Sequence, residues 1–306
     1  MAKLTTPIET EQFAESKNAL TVRAPAKINL SLLVSGKRPD GFHNLETIMA
    51  KICWHDEIII EKGTQTGIEL ICKGNFWAPE NPDNLVFKAA KNILNAAKIK
   101  ENLKITLIKN IPAGTGLGSA SSDAAATLLG VNKFLKLGLS GEKLHELGAE
   151  LGSDVAFFIH EPLSFCTGRG EKITPLSQKM DFWALLILPE LSTSTKTVYQ
   201  NYKHDHGYYE ASHKAISHHL EQNRLDLIAQ MQANMLEKSC FELHPKLLEL
   251  KLRIEAVAGK KLMLSGSGST LFYFFGCQEK EIGIEYQNII ERDVGCNSIL
   301  VSNNRW

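Results

Sequence analysis

The sequence predicts a protein of mixed helix and strand in two domains, and three observations carry that prediction. Its 306 residues suffice for two hydrophobic cores, since a domain takes roughly 100–200 residues. Segments of alternating apolar residues and segments with apolar residues at i, i+3 and i+4 are interspersed along the chain. A buried-strand signature, FWALLILP (Phe182–Pro189), reads as the opening of a second domain, dividing the chain into residues 1–180 and 181–306.

Residues 1–19 read as a polar, weakly ordered leader, without the apolar core of a signal peptide. Alternation at Ile28, Leu30 and Leu32 gives the first strand, and Pro39-Asp40-Gly41 gives a turn in which proline presets φ and glycine accepts a positive φ. Leu45–Ile52 reads as a second strand or short helix, Asp56–Ile60 continues the sheet, and a weak strand lies at Ile68–Cys72 within a loop-rich stretch. Asn84–Ala97 carries a helical apolar face after the Asn81-Pro82-Asp83 stop. Leu103–Lys109 alternates as a strand, Ser140–Leu151 is a helix with Ser140 as N-cap, and residues 163–176 form a hairpin around Thr167-Gly168-Arg169-Gly170. Beyond Pro189 come a polar loop at 190–210 and helices near 211–221, 224–237 and 245–258. Strand, turn and strand over Leu262–Phe275, a helix at Glu279–Glu291 and a strand at Ser298–Val301 complete the chain.

Lys plus Arg and Asp plus Glu both number 34, so no global field draws the protein to nucleic acid or a membrane surface. An acidic substrate therefore needs a local site. The longest apolar run, Phe182–Leu188, falls far short of the ~20 residues that span a bilayer. Six scattered cysteines without a C-x-x-C read as reduced thiols in a cytoplasmic protein.

The most informative stretch follows the Leu103–Lys109 strand: Pro112-Ala113-Gly114-Thr115-Gly116-Leu117-Gly118-Ser119-Ala120-Ser121-Ser122, then a helix rich in alanine and leucine. Strand, glycine loop and helix start form a phosphate-holding device. Glycines bend backbone N–H groups inward, and the helix N-terminus adds free donors and positive dipole. The serines can cap the helix and donate, or ligate a cation such as Mg²⁺ through Ser121 or Ser122, and Asp123 suits the helix's first turn. No lysine follows as in a P-loop, and Ser119 stands where dinucleotide and protein-kinase fingerprints place glycine. A small-residue turn for close helix–strand packing is the competing reading. Three glycines with three hydroxyls favour the anion.

Other constellations are weaker alone. Lys27 lies in an apolar strand with Asn29 on its side; a buried lysine needs a carboxylate or anion, whereas an edge lysine reaches water. Asp154, at the mouth of Gly152–Phe158, is either a helix N-cap or a carboxylate that accepts a proton from a hydroxyl. Ser265-Gly266-Ser267-Gly268-Ser269 is a tight hairpin or a donor of N–H groups to the phosphate site. His204, His206, His213, His218 and His219 read as belonging to a solvated loop rather than a metal site.

PAKINL, PAGTGLGSASS and LSGSGSTLF, in this order and spacing, resemble the three motifs of the GHMP kinases, the family of galactokinase, homoserine kinase and mevalonate kinase. APAKINLSLLVSGKRPDGFHNLETI and GSDVAFFI are similar to the branch that phosphorylates the 2-hydroxyl of a cytidine-diphosphate-linked methylerythritol in the non-mevalonate isoprenoid pathway. The resemblance implies an α+β, two-domain GHMP kinase fold: an N-terminal domain like ribosomal protein S5 domain 2 and an α/β C-terminal domain. It implies ATP and Mg²⁺ as cofactors and a small-molecule cytidine-diphosphate polyol as partner, in a monomer or weak homodimer.

Residue by residue, it implies Asp154 as base, Lys27 as its charge partner and Pro112–Ser122 as the ATP phosphate loop. Asn29 would contact substrate, Phe42 and Tyr199 would stack on cytosine, His43 would read its edge, and Gly266 and Gly268 would border the cleft. Ala156 replaces a usual proline, and Met235 sits where an aspartate is common, which puts a second-domain contact there in doubt. The rivals are another small-molecule kinase of the homoserine or mevalonate type, a related decarboxylase, and a non-catalytic nucleotide-binding relative.

Overall fold

The computed structural model describes residues 11–177 and 180–306. A seven-stranded sheet is built from β1 (Phe13–Glu15), β2 (Ala19–Lys37), β3 (His43–Lys62), β4 (Ile68–Gly74), β5 (Leu103–Lys109), β6 (Leu163–Gly168) and β7 (Lys172–Pro175), in the order β1-β2-β3-β5-β4, with β6 on the other half of β3 and β7 beside β6. A four-stranded sheet, in the order β11-β8-β10-β9, uses β8 (Phe182–Ile187), β9 (Met263–Leu264), β10 (Leu271–Gly276) and β11 (Ser298–Ser302). Among the described residues every pairing between these strands is antiparallel except β4 with β5. Helices and strands are both abundant, as in the α+β, GHMP-like fold expected from the sequence.

The helices are α1 (Leu85–Ala96), α2 (Ser119–Phe134), α3 (Gly141–Leu151), α4 (Ser153–Ile159), α5 (Thr195–Asn201), α6 (His206–Glu221), α7 (Leu225–Met231), α8 (Glu237–Leu243), α9 (Pro245–Ala258) and α10 (Lys280–Asp293). One core packs α1–α4 on the large sheet through residues such as Val22, Ile58, Ile105, Leu128 and Phe157. The other runs continuously from Ile28, Leu30 and Leu32 of β2 to Leu185, Phe272 and Leu300 of the small sheet. Hence β2 alternates in burial only at its start, and from Ala24 to Val34 both faces are covered.

Several expectations change. Part of the supposed leader is ordered: Phe13–Glu15 pair with Leu20–Val22, while residues 1–10 lie outside the described residues. The two strand segments at 45–60 are one strand, β3, whose first half pairs with β6 and second half with β5. The polar 190–210 loop contains α5 and the start of α6, N-capped by Ser194 and Asp205, and the expected 224–237 helix is broken at Gln232, which has φ 54°.

Candidate active site

A cavity of about 930 Å³ opens between the two sheets. It is lined from β2 by Lys27 and Asn29, from the β2–β3 turn and β3 by Phe42, His43 and Thr47, from the glycine loop, from α4 by Asp154, from α5 by Tyr199, and from the small-sheet turn by Gly266.

Lys27 is 4% exposed and lies deep in the sheet opposite Lys51, which excludes the edge-strand alternative. Its Nζ lies 3.9 Å from Asp154 Oδ2 and donates to Asn29 Oδ1 at 2.6 Å. Asn29 Nδ2 donates to Thr47 Oγ1, which donates to Ser31 O, so the amide is fixed with its oxygen toward the lysine. Burial lowers the Lys27 pKa, with Asp154 and then Cys166 opposing it. Asp154 is the second residue of α4, whose N-cap is Gly152, so it is not itself the cap. Its side chain remains partly open to the cavity. Ala156 is buried within α4, so the departure from proline changes helix packing rather than the carboxylate.

The glycine loop adjoins this pair, for Leu117 O accepts the backbone N–H of Lys27. Gly118, not a serine, is the N-cap of α2, at φ 70° and without a side-chain capping bond. First-turn donors are therefore left for a ligand, and Gly114, Gly116, Gly118, Ser119, Ala120 and Ser121 face the cavity. The rest of the expected loop serves the cradle's shape. Pro112 O accepts from Thr115 Oγ1, Thr115 O accepts from Thr270 N, Leu117 and Ser122 are buried, and Ala113 points to solvent.

The glycine-serine turns divide similarly. Gly266 borders the cavity, where an added Cβ would sit 3.3 Å from both Lys27 Nζ and Asn29 Oδ1. Gly268 does not line it; it packs against Cys240, Leu264 and Thr193, because this turn folds its second half onto the small-sheet core. The expected substrate contact of Gly268 is thus corrected to a structural one.

At the far end His43 stacks on Tyr199 with centroids 5.4 Å apart and planes 25° apart, and meets Tyr202 edge-on at 5.7 Å. Burial lowers the His43 pKa, with Lys37 and His204 adding to the effect. Phe42 is exposed, with the Arg169 guanidinium 5.0 Å from its ring centroid.

Sequence reasoning missed four contributors. Arg169, Lys37 and Lys196 add cationic charge to the cavity wall, and Asn234 Nδ2 holds the glycine-serine turn through Leu264 O and Gly266 O at 2.8 Å each. A lysine or arginine beside a glycine turn was the available signal for Lys37 and Arg169; Asn234 carried none. The doubt over Met235 resolves into a contact: Val34 N donates to its sulfur at 3.3 Å, and its backbone pairs with Leu32. The His-rich segment lies largely on α6, where His213 and Tyr209 both bind Glu46 of β3.

Among the described residues no group of three His, Cys, Asp or Glu is placed to hold a metal ion alone. The cavity's carboxylates are Asp40 and Asp154. This donor set fits a Mg²⁺ that arrives on a nucleotide, because Mg²⁺ keeps waters and phosphate oxygens and takes one or two protein carboxylates. Its ligands would be chiefly phosphates and water, with Asp154 as the protein charge beside them.

Known proteins place the chain in a family. Residues 84–161 match the GHMP kinases N terminal domain. The chain is 39% identical over 256 residues to a 4-diphosphocytidyl-2-C-methyl-D-erythritol kinase of Geobacillus sp. strain WCH70, covering 83% of this chain and 87% of that one. A crystal structure of 4-(cytidine 5'-diphospho)-2C-methyl-D-erythritol kinase superposes with TM-score 0.70 at 28% identity, covering 94% of this chain and all of that one. Homoserine kinase from Cytophaga hutchinsonii shares the fold, with TM-score 0.75 at 18% identity over 97% of this chain and 98% of that one. By sequence and fold together, the chain belongs to the GHMP kinase family, within its 4-diphosphocytidyl-2-C-methyl-D-erythritol kinase branch.

Proposed function

We propose that this chain transfers the γ-phosphoryl group of ATP to the 2-hydroxyl of 4-diphosphocytidyl-2-C-methyl-D-erythritol. The carrying observation is the Lys27–Asp154 pair, 3.9 Å apart, in the same cavity as the glycine cradle. Phosphoryl transfer asks for positioning and charge neutralisation more than for covalent chemistry by the protein. The cradle and the α2 N-terminus hold the polyphosphate. Asp154 accepts the hydroxyl proton, the oxygen bonds to the γ-phosphorus, and the bond to the β–γ bridging oxygen breaks to release ADP. Lys27, kept in place by Asn29, steadies negative charge on the reacting oxygens. Mg²⁺, when bound with the nucleotide, neutralises phosphate charge.

His43, Tyr199 and Phe42 supply flat faces and a hydrogen-bonding edge suited to a pyrimidine, and Lys37, Arg169 and Lys196 offer charge for its diphosphate. The test is ATP consumption with the cytidyl substrate against a panel including homoserine. Turnover of the cytidyl alcohol alone is expected; turnover of homoserine in its place overturns the reading. Asp154→Asn should lower kcat at least ~10²-fold with little change in either KM, the size of a lost general base.

A further inference from the structure

The glycine cradle is held at both ends by a buried charge cluster that the proposed reaction does not touch. Lys109 ends β5 immediately before the loop and is 2% exposed. Its ammonium donates to Asp56 Oδ2 on β3 and, at 2.7 Å, to Asp123 Oδ2 on α2. Asp56 Oδ1 also accepts the backbone N–H groups of Asn110 and Ile111, at the loop's first two positions. Strand end, loop start and helix are thus tied to one point. Between Lys109 and Asp123 the chain contains Gly114, Gly116 and Gly118, all at positive φ and without side chains to anchor them. Pinning the ends is what gives such a loop one shape.

Two carboxylates around one ammonium would leave a net negative charge in a dry site behind a helix start that receives polyphosphate, which is costly. The donors decide where a compensating proton sits. Asp56 uses both oxygens as acceptors, from three N–H sources. Asp123 receives an N–H only from Lys109, its Oδ1 has no N–H donor, and its side chain lies within hydrogen-bonding reach of Asp56. Burial raises the Asp123 pKa well above the usual carboxylate range against the pull of Lys109, and nearby Asp56 raises it further. Cys72 of β4 also faces the cluster; burial pushes its pKa up to about 11, so it is a neutral thiol.

We propose that Lys109, Asp56 and a protonated Asp123 form a neutral buried clamp that positions the phosphate loop, with Asp56 the ionised member and Asp123 the acid. Asp123 and Asp56 are positioning residues that act through the loop backbone. The loop's role in binding ATP rests on the function proposed above, whereas the protonation of Asp123 can be measured without it.

The test compares isosteres. Asp123→Asn keeps a neutral group that accepts from Lys109, and should leave KM for ATP within ~3-fold of wild type. Asp56→Asn removes the charge that receives Lys109 and two loop amides, and should raise KM for ATP ~10-fold or more while leaving KM for the cytidyl alcohol unchanged. Equal effects of the two variants, or a larger effect of Asp123→Asn, overturn the assignment. Infrared spectroscopy at neutral pH stands apart from kinetics and from the folding of Asp56→Asn. A protonated-carboxyl stretching band in wild type that disappears in Asp123→Asn is expected, and its absence from wild type overturns the proposal.

Discussion

Gly116→Ala tests whether the glycine loop before α2 and the glycine-serine turn of the small sheet are one unit. Gly116 has φ 81°, in the left-handed region, where an alanine costs ~1–2 kcal/mol. An added Cβ would overlap Ser265 O outright and stand 3.1 Å from Gly268 O, and neither is a side chain that can swing aside. Loop and turn would have to separate, straining Ser265 Oγ to Gly116 O and Thr270 N to Thr115 O, both 3.0 Å. At ~1 kcal/mol net for each bond, the sum is ~3–4 kcal/mol, or roughly 6–16 °C in Tm. Gly114→Ala is the control. Its φ is 71°, but its nearest neighbours are Ser192 Cβ at 3.6 Å and Thr193 O at 3.8 Å, so only the ~1–2 kcal/mol backbone term applies. Circular-dichroism melts of both variants, with ATP titrations, make the comparison. If Gly116→Ala melts within ~1 °C of Gly114→Ala, the close packing of loop on turn is wrong.

Two further outcomes follow from the cavity and the sheet beneath it. Tyr199→Leu removes the ring stacked on His43; a lost base-stacking face of ~1–3 kcal/mol predicts a ~5–150-fold rise in KM for the cytidyl substrate with KM for ATP unchanged. A parallel rise in both would place Tyr199 in general packing instead. Lys51, whose Nζ donates to Phe158 O and His160 O at the end of α4, is lowered by burial to about 7, with Glu161 opposing. From about pH 7 to the ordinary lysine value near ~10.4, the unfolded chain therefore holds the extra proton, and stability contributed at this site rises with pH. The wild-type minus Lys51→Met difference in unfolding free energy should climb by ~1.4 kcal/mol per pH unit across that window. A flat difference in denaturant titrations would show that Lys51 keeps its charge in the fold.

Signals that depend on near neighbours in the chain were legible. Ser140 caps α3 as its place before an apolar helical face implies, accepting from Lys143 N. The Leu103–Lys109 strand and the glycine loop after it lie where alternation and composition put them. Ser194 and Asp205 were readable as caps too, but α5 and α6 are rich in histidine, tyrosine and threonine, which mask a helix because their intrinsic propensity is modest. The length of β3 was not legible, since its two halves have different partners and local alternation says nothing of who pairs with whom.

By itself, then, the sequence determined the glycine loop, the lysine strand, the carboxylate at the start of α4 and the family to which they belong, because each is written in consecutive residues. Tertiary structure alone decided how near Lys27 and Asp154 come, that Gly266 faces the cavity while Gly268 faces the core, and that Asp123 serves Lys109 rather than the helix's first turn. Those outcomes depend on the distances and directions of groups carried by different elements. Only packing the two sheets and their helices around shared cores sets them.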